Sequence, residues 1–383
     1  MYNVVLIRSN PVKPYPRLEK MANCLVKNGH NVTVLAWDRD MDYEPREEQL
    51  KLKNCIVPIV RFGIKGQFSG GIKKNLKGLI KFQKLIYLWL KRHSSEIDVI
   101  HAYDFDTGYT ALKFARKYKK KIVYDIADYY VDSHGLKGSS IGKLVKAMED
   151  SIINKADATI ICTEERKQQI RGTHPKRLFV VHNTPDIDID NKLEVERFSN
   201  LYVEAKRLKL VYVGILGKAR FIDKIAEVVA KRRDCELHIG GFGGGMETFF
   251  EGMDREHDNI HFYGRLLYDE TIALEKACDV MCAIYDPSVP NHYYAAPNKF
   301  YEALALGKPL IMVRDTGMAS VVEKECVGEV IEYTAESLNR ALDKLVNNRE
   351  KREEVAQKAK QLYLNNYSWK KMETTISEIY LAI

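Results

Sequence analysis

The sequence predicts an α/β protein of two doubly wound, Rossmann-like domains. Short apolar runs of strand length alternate with amphipathic stretches of helix length, the order that builds parallel sheets. That alternation stops in an irregular polar stretch near 183–205 and restarts at residue 208. A chain of 383 residues exceeds one ordinary core and suits two domains. The expected boundaries are 1–190, 205–366 and a terminal helix at 367–383.

Composition narrows the class. Apolar content of 45% and charged content of 29% describe a soluble globular protein. The longest apolar run, Leu85-Ile86-Tyr87-Leu88-Trp89-Leu90, is far short of a membrane span. The N-terminus enters a strand directly, without a signal-peptide layout. Seven scattered cysteines point to a reducing compartment, so the expected location is cytoplasmic. A net charge of +8 favours anionic ligands or membrane surfaces, and no nucleic-acid partner is expected.

In the first half, residues 4–7, 31–37, 56–60, 98–101, 121–126, 158–162 and 178–181 read as strands. Residues 17–27 read as a helix stopped by Gly29. The loop at 8–16 holds three prolines and no glycine, which excludes the Gly-rich dinucleotide turn. Residues 72–93 read as a helix carrying Lys73, Lys74, Lys77, Lys81, Lys84, Lys91 and Arg92, interleaved with Phe82, Tyr87 and Trp89. That pattern fits either a solvated face or contact with an anionic membrane. Ligands of doubly wound sheets sit at the carboxyl ends of strands. By that rule His101, Asp104, Asp106, Asp125 and Asp128 are candidates; a helix is expected after the stretch 103–108, running to Lys120. Asp104-x-Asp106 admits a Mg or Mn reading, but Asp38-Arg39-Asp40 shows the triplet recurring elsewhere, and no metal is expected.

In the second half, strands are expected at 208–213, 236–239, 259–263, 279–284, 310–313 and 327–331. Gly214 and Gly217, followed by Lys218 and Arg220, suit a diphosphate. The run Gly240-Gly241-Phe242-Gly243-Gly244-Gly245 suits a backbone facing a ligand or a plain flexible turn. Tyr285, His292, Tyr293 and Tyr294 suit a loop lining a sugar or base, and packing would use them too. The most informative stretch is 297–310. It reads as a short helix closed by Gly307 and Pro309, with Lys299 and Glu302 on one face. A helix start with a lysine can hold phosphate, and a glutamate one turn on can accept from two ribose hydroxyls. A surface Lys–Glu pair on an ordinary crossover helix would show the same pattern.

Five stretches resemble retaining glycosyltransferases of the two-Rossmann-domain (GT-B) architecture, in the family numbered 4. They are Gly29-His30-Asn31-Val32-Thr33-Val34-Leu35, Val123-Tyr124-Asp125-Ile126-Ala127-Asp128, Tyr212-Val213-Gly214 with Arg220, Pro297-Asn298-Lys299-Phe300-Tyr301-Glu302 through Pro309, and Tyr367-Ser368-Trp369. The resemblance implies a deep cleft between the domains, with the acceptor held by the first, a nucleotide sugar held by the second, and the last helix crossing back to the first. It implies that Arg220 and Lys299 touch the diphosphate and Glu302 the ribose, with no metal or other cofactor. Gly214, Gly217, Lys218, Gly241, Tyr294 and Asn298 complete the expected donor site, and Asp128 and Asp104 are the catalytic candidates. Two positions depart from the family pattern: Tyr294 stands where a glutamate is common, and Ala127 where a histidine is common. The expected reaction moves a sugar, with UDP the commonest carrier, to a saccharide or lipid-linked acceptor, and surface polysaccharide synthesis is one setting for it. The alternatives are a nucleotide-sugar epimerase of the same fold and an inactive nucleotide-sugar-binding paralogue.

Overall fold

The computed structural model describes residues 1–67, 71–187, 196–202 and 207–383. The expected junctions at 190 and 205 lie outside the described residues, as does the side chain of Lys73. The chain divides into two compact units, one of Met1–His182 with Met372–Ile383 and one of Asn183–Lys371.

The first unit is built on eight strands. They are β1 (Asn3–Arg8), β2 (Asn31–Asp38), β3 (Tyr43–Lys51), β4 (Ile56–Gly63), β5 (Val99–Tyr103), β6 (Lys121–Ile126), β7 (Ala158–Ile161) and β8 (Leu178–Val180). Their order is β3-β4-β2-β1-β5-β6-β7-β8. The inner strands are parallel and nearly fully buried, which is why they read as continuous apolar runs. β3 departs from expectation. It is an antiparallel edge strand on β4, and its sequence Glu44-Pro45-Arg46-Glu47-Glu48 is almost wholly exposed. Charge and proline suit an edge but hide a strand from any apolar pattern. A second correction concerns the helix expected after Gly108: it starts at Asp104 and runs to Tyr118. Asp104 takes φ +56°, so β5 turns into the helix without an intervening loop.

The second unit carries β9 (Leu208–Ile215), β10 (Cys235–Phe242), β11 (Ile260–Phe262), β12 (Val280–Ala283), β13 (Leu310–Val313) and β14 (Gly328–Ile331). All pairings are parallel, in the order β11-β10-β9-β12-β13-β14. Alternate residues feed two cores: Leu210, Leu237 and Ile239 pack with Phe250 and Ile260, while Val211 packs on the other face with Phe300 and Leu304. The helix Asn298–Leu306 contributes Phe300, Tyr301, Ala303 and Leu304 to that face. Burial of Phe300 and Leu304 stabilises by about 1.5–3 kcal/mol each. It fixes the rotation of the helix, and therefore where Lys299 and Glu302 point.

Candidate functional site

The second unit contains a cavity of about 260 Å³ at the carboxyl ends of β9 and β10, where doubly wound sheets bind ligands. Val213, Gly214, Gly241, Phe242, Leu266, Tyr268, Thr271, Asn298, Lys299 and Glu302 line it. Five expected donor-site residues are thus brought together: Gly214, Gly241, Asn298, Lys299 and Glu302.

Each wall has a local cause. Near the end of β9 stands Gly214, where a Cβ would lie 2.7 Å from the Lys299 ammonium nitrogen. Gly241 carries φ +153°, and a Cβ would collide with the Gly214 carbonyl oxygen. The two strand ends therefore approach closely only as glycines. No side chain caps the start of the helix Asn298–Leu306, so the positive end of its dipole stays open. Gly307 closes the other end at φ +67°.

The electrostatics favour an anion. Lys299 Nζ lies 4.8 Å from the centre of the Tyr212 ring, and no salt bridge ties it to a carboxylate among the described residues. Burial opposes its charge, but Tyr212, Tyr285, Glu302 and Glu275 together outweigh burial and hold the ammonium above its usual value. Arg220 packs its guanidinium 4.0 Å from the centre of the Tyr285 ring, and its Nη1 is buried without a hydrogen-bond partner. Both cations pull down on the Tyr212 hydroxyl, which burial pushes up, so they act on one locality. A buried donor without a partner is costly unless a ligand completes it.

Glu302 is 5% exposed and reaches the cavity. Behind it stands Glu275, 1% exposed, with neither carboxyl oxygen hydrogen-bonded. Burial, then the neighbouring Glu302, push the Glu275 carboxyl well above the usual range, against the pull of Lys299.

The other expected residues fall outside the cavity lining. Gly217 precedes a short 3-10 turn at Lys218–Arg220, where the Lys218 side chain is exposed. Tyr294 sits in the 3-10 turn Pro290–Tyr294 and packs against the Tyr293 ring. Phe242, Leu266, Tyr268, Thr271 and Glu275 were not anticipated. Phe242 could have been found, because it stands inside the glycine run; Glu275 gave no signal in an ordinary helical sequence.

In the first unit the acidic candidates gather at the carboxyl ends of β5 and β6. Asp104 forms an ion pair with Arg8, and its other oxygen accepts from the backbone N–H groups of Ala127 (2.8 Å) and Asp128 (3.1 Å). Asp104 therefore holds the 127–128 turn. Asp106 accepts from Ser9 Oγ at 2.8 Å. Asp125 is fully buried between Arg17 (2.7 Å) and His101 (3.5 Å), and His101 in turn meets the Tyr380 hydroxyl at 2.9 Å. Asp128 is the available acid: its side chain is 54% exposed and meets Arg166 at 3.2 Å. Burial pushes its carboxyl above the usual carboxylate range, against the pull of Arg166.

Comparison with known proteins gives the class. The family described as "Glycosyl transferases group 1" matches residues 196–362, and "Glycosyltransferase Family 4" matches residues 17–189. The chain is 24% identical over 296 residues to glycogen synthase of Mycobacterium tuberculosis, covering 74% of this chain and 69% of that one. Among solved structures, sucrose-phosphate synthase from Thermosynechococcus elongatus superposes with a TM-score of 0.75 at 16% identity, covering 100% of this chain and 98% of that one. HepE of Anabaena, solved in complex with UDP, gives 0.70 at 14% identity, with both chains fully covered. The class is a GT-B glycosyltransferase. Within it, the chain resembles family 4.

Proposed function

We propose that this glycosyltransferase takes its sugar from a nucleoside diphosphate, UDP in the first instance, and transfers it with retention to a saccharide or lipid-linked acceptor. The observation that carries the reading is the pairing of Lys299 and Glu302 on one helix face inside the cavity, beside an Arg220 guanidinium with an unpartnered nitrogen. Lys299 and Arg220 offset the charge that grows on the diphosphate as the glycosidic bond breaks. Such preorganised charge needs no metal to stabilise a departing oxyanion. The Glu302 carboxylate accepts from the two ribose hydroxyls. Phe242, Leu266 and Tyr268 offer apolar surface to the base. Asp128 is the acid or base nearest the turn that Asp104 holds. The HepE and E. coli trehalose-6-phosphate structures bound to UDP or to UDP sugars support the choice of carrier.

The helix Gly71–Arg92 supports a membrane-bound acceptor. Leu76, Ile80 and Leu88 are 46%, 57% and 49% exposed on the same side as exposed Lys74, Lys77, Lys81 and Lys84. Apolar residues among cations suit an anionic bilayer, at about 1 kcal/mol per cation. Sedimentation with anionic vesicles should fall when Lys74, Lys77 and Lys81 are neutralised; unchanged binding removes the membrane from the proposal. Among the described residues no helix is long and apolar enough to cross a membrane.

The central test is a thermal-shift screen with UDP, GDP and dTDP sugars, followed by NMR of the product anomer. Stabilisation by one carrier and a product of unchanged anomeric configuration are expected. Donor converted without an acceptor would identify an epimerase. Donor binding with neither transfer nor hydrolysis would identify an inactive paralogue.

A further inference from the structure

Outside the cavity, three side chains of ligand type converge on the edge of the second sheet. Glu236 and His238 are two apart on β10 and so share a face. His261 is the register partner of His238 on β11, the edge strand. The two imidazoles stack with centroids 4.8 Å apart. One donor atom from each of the three residues lies within 4.8 Å of the other two.

The contacts of His238 are the informative part. Its Nε2 stands 3.1 Å from Glu236 Oε1, and its Nδ1 stands 2.9 Å from the Tyr263 hydroxyl. The ring is 1% exposed. A neutral imidazole carries one N–H. In one tautomer the Tyr263 hydroxyl donates to Nδ1 and the Nε2–H donates to Glu236; in the other the Nδ1–H donates to Tyr263, and Nε2 turns a bare lone pair toward the carboxylate, a pair that a metal cation completes. Zinc-class ions bind imidazole nitrogen and carboxylate oxygen at about 2.0–2.2 Å, so two donors on one tetrahedral ion stand about 3.3 Å apart. The Glu236–His238 spacing already matches. Tyr263 takes the outer position that orients a ligating imidazole. His261 is half-buried, and its ring has no hydrogen-bond partner among the described residues.

We infer that Glu236, His238 and His261 bind one divalent transition-metal ion of the zinc class, with water in the fourth position. The ion clips edge strand β11 to β10. The inference does not depend on the proposed transfer reaction. His261 has to approach by about 1.5 Å, since its donor starts as much as 4.8 Å away. Two imidazoles select zinc, nickel or copper over magnesium or calcium, which take oxygen donors. The site stands apart from the diphosphate chemistry: His238 is three residues before Gly241, about 10 Å along the strand.

The test uses tag-free, chelator-treated full-length protein in a Cys326→Ser background, because Cys326 is the exposed thiol among the described residues. Calorimetric titration with zinc should show one equivalent bound at micromolar affinity or tighter, and a raised Tm, with magnesium giving neither. His261→Ala should weaken zinc binding at least tenfold, and Glu236→Gln should do so as well, so that a misfolded single variant leaves the question answerable. Cobalt should give a tetrahedral d–d spectrum without a thiolate charge-transfer band. Zinc binding that is undetectable at 100-fold excess, or equal in the wild type and both variants, or carried by a thiolate band, overturns the site and leaves a hydrogen-bonded His–Glu pair.

Discussion

The clusters at the strand ends of the two units hold their cations in opposite ways. In the first, Arg8, Arg17 and Arg166 each meet a carboxylate, at Asp104, Asp125 and Asp128. In the second, Lys299 and Arg220 lie over the tyrosine rings of Tyr212 and Tyr285. An ion pair closes a charge off from other anions, whereas a ring face stabilises a cation without neutralising it. The same residue types are therefore structural in one cluster and available to a ligand in the other.

The largest effect should come from opening a closed pair. Burial pushes the Asp125 carboxyl up, but Arg17, then His101, pull it further down, and it remains ionised below the usual carboxylate range. Arg17→Met leaves that charge buried and should cost about 3–5 kcal/mol in urea unfolding. The double variant Arg17→Met with Asp125→Leu should recover most of the loss. A single variant as stable as the wild type would show that the pair is not what holds β6 to the first helix.

Lys299→Met should reverse the pattern. It removes a cation that has no salt bridge among the described residues but whose charge the fold favours over solvent, so stability should fall modestly. Loss of one preorganised charge should lower kcat/KM about 100- to 1,000-fold with an established donor. Equal turnover by the variant would remove Lys299 from the leaving-group site.

A third variant tests a carboxyl that neither charge pattern covers. Glu149 is fully buried, and burial pushes it up to about 8 against the hydrogen bond from Tyr124. An unfolded glutamate titrates near 4.3. The folded state therefore holds the proton more tightly, so this stability is complete below about pH 4 and is lost as pH rises through about 8. Glu149→Gln should be nearest wild type at pH 5 and gain on it by about 4 kcal/mol by pH 8.5, since three pH units at about 1.4 kcal/mol each separate pH 5 from the folded value. The value of about 8 already includes the hydrogen bonds that Tyr124 and Tyr130 give the carboxylate. A constant difference across that range would show Glu149 ionised in the fold.

The fold was legible because buried parallel strands are written as apolar runs, and all six strands of the second unit fall where such runs are. β3 was not legible, because an exposed edge strand needs no apolar residue. The helix Ser140–Lys155 also escaped notice, although it supplies Glu149 and buried Ile152 and Ile153. In the site, Lys299 and Glu302 were legible because a three-residue spacing on a helix is local. Tyr268, Thr271 and Glu275 come from a different helix, Tyr268–Ala277, and only the packing of that helix against Asn298–Leu306 brings them in. Pairing was the least legible property: nothing local distinguishes Arg17, which meets Asp125, from Arg220, which meets a ring.

Two glycines sharpen the same division at small magnitude. Gly307 closes the helix at φ +67°, where an added Cβ would approach Lys360 Cε at 2.6 Å and the Ala356 carbonyl at 3.0 Å. The lysine can swing away, but the left-handed backbone cannot change, so Gly307→Ala should cost about 1–2 kcal/mol. It lies two turns from Lys299, and kcat/KM should stay within about twofold. Gly214→Ala sets its Cβ 2.7 Å from the Lys299 ammonium instead. That side chain end can also move, but movement displaces the charge from where the diphosphate needs it, and misplacement by about 1 Å can cost 100-fold. Gly214 also stands at φ +155°, so both variants should lose stability, but only Gly214→Ala should also lose activity; that difference would place structure alone at the end of the helix and chemistry at its start. Should Gly214→Ala leave turnover intact, Lys299 tolerates displacement and acts as a diffuse charge rather than a positioned one.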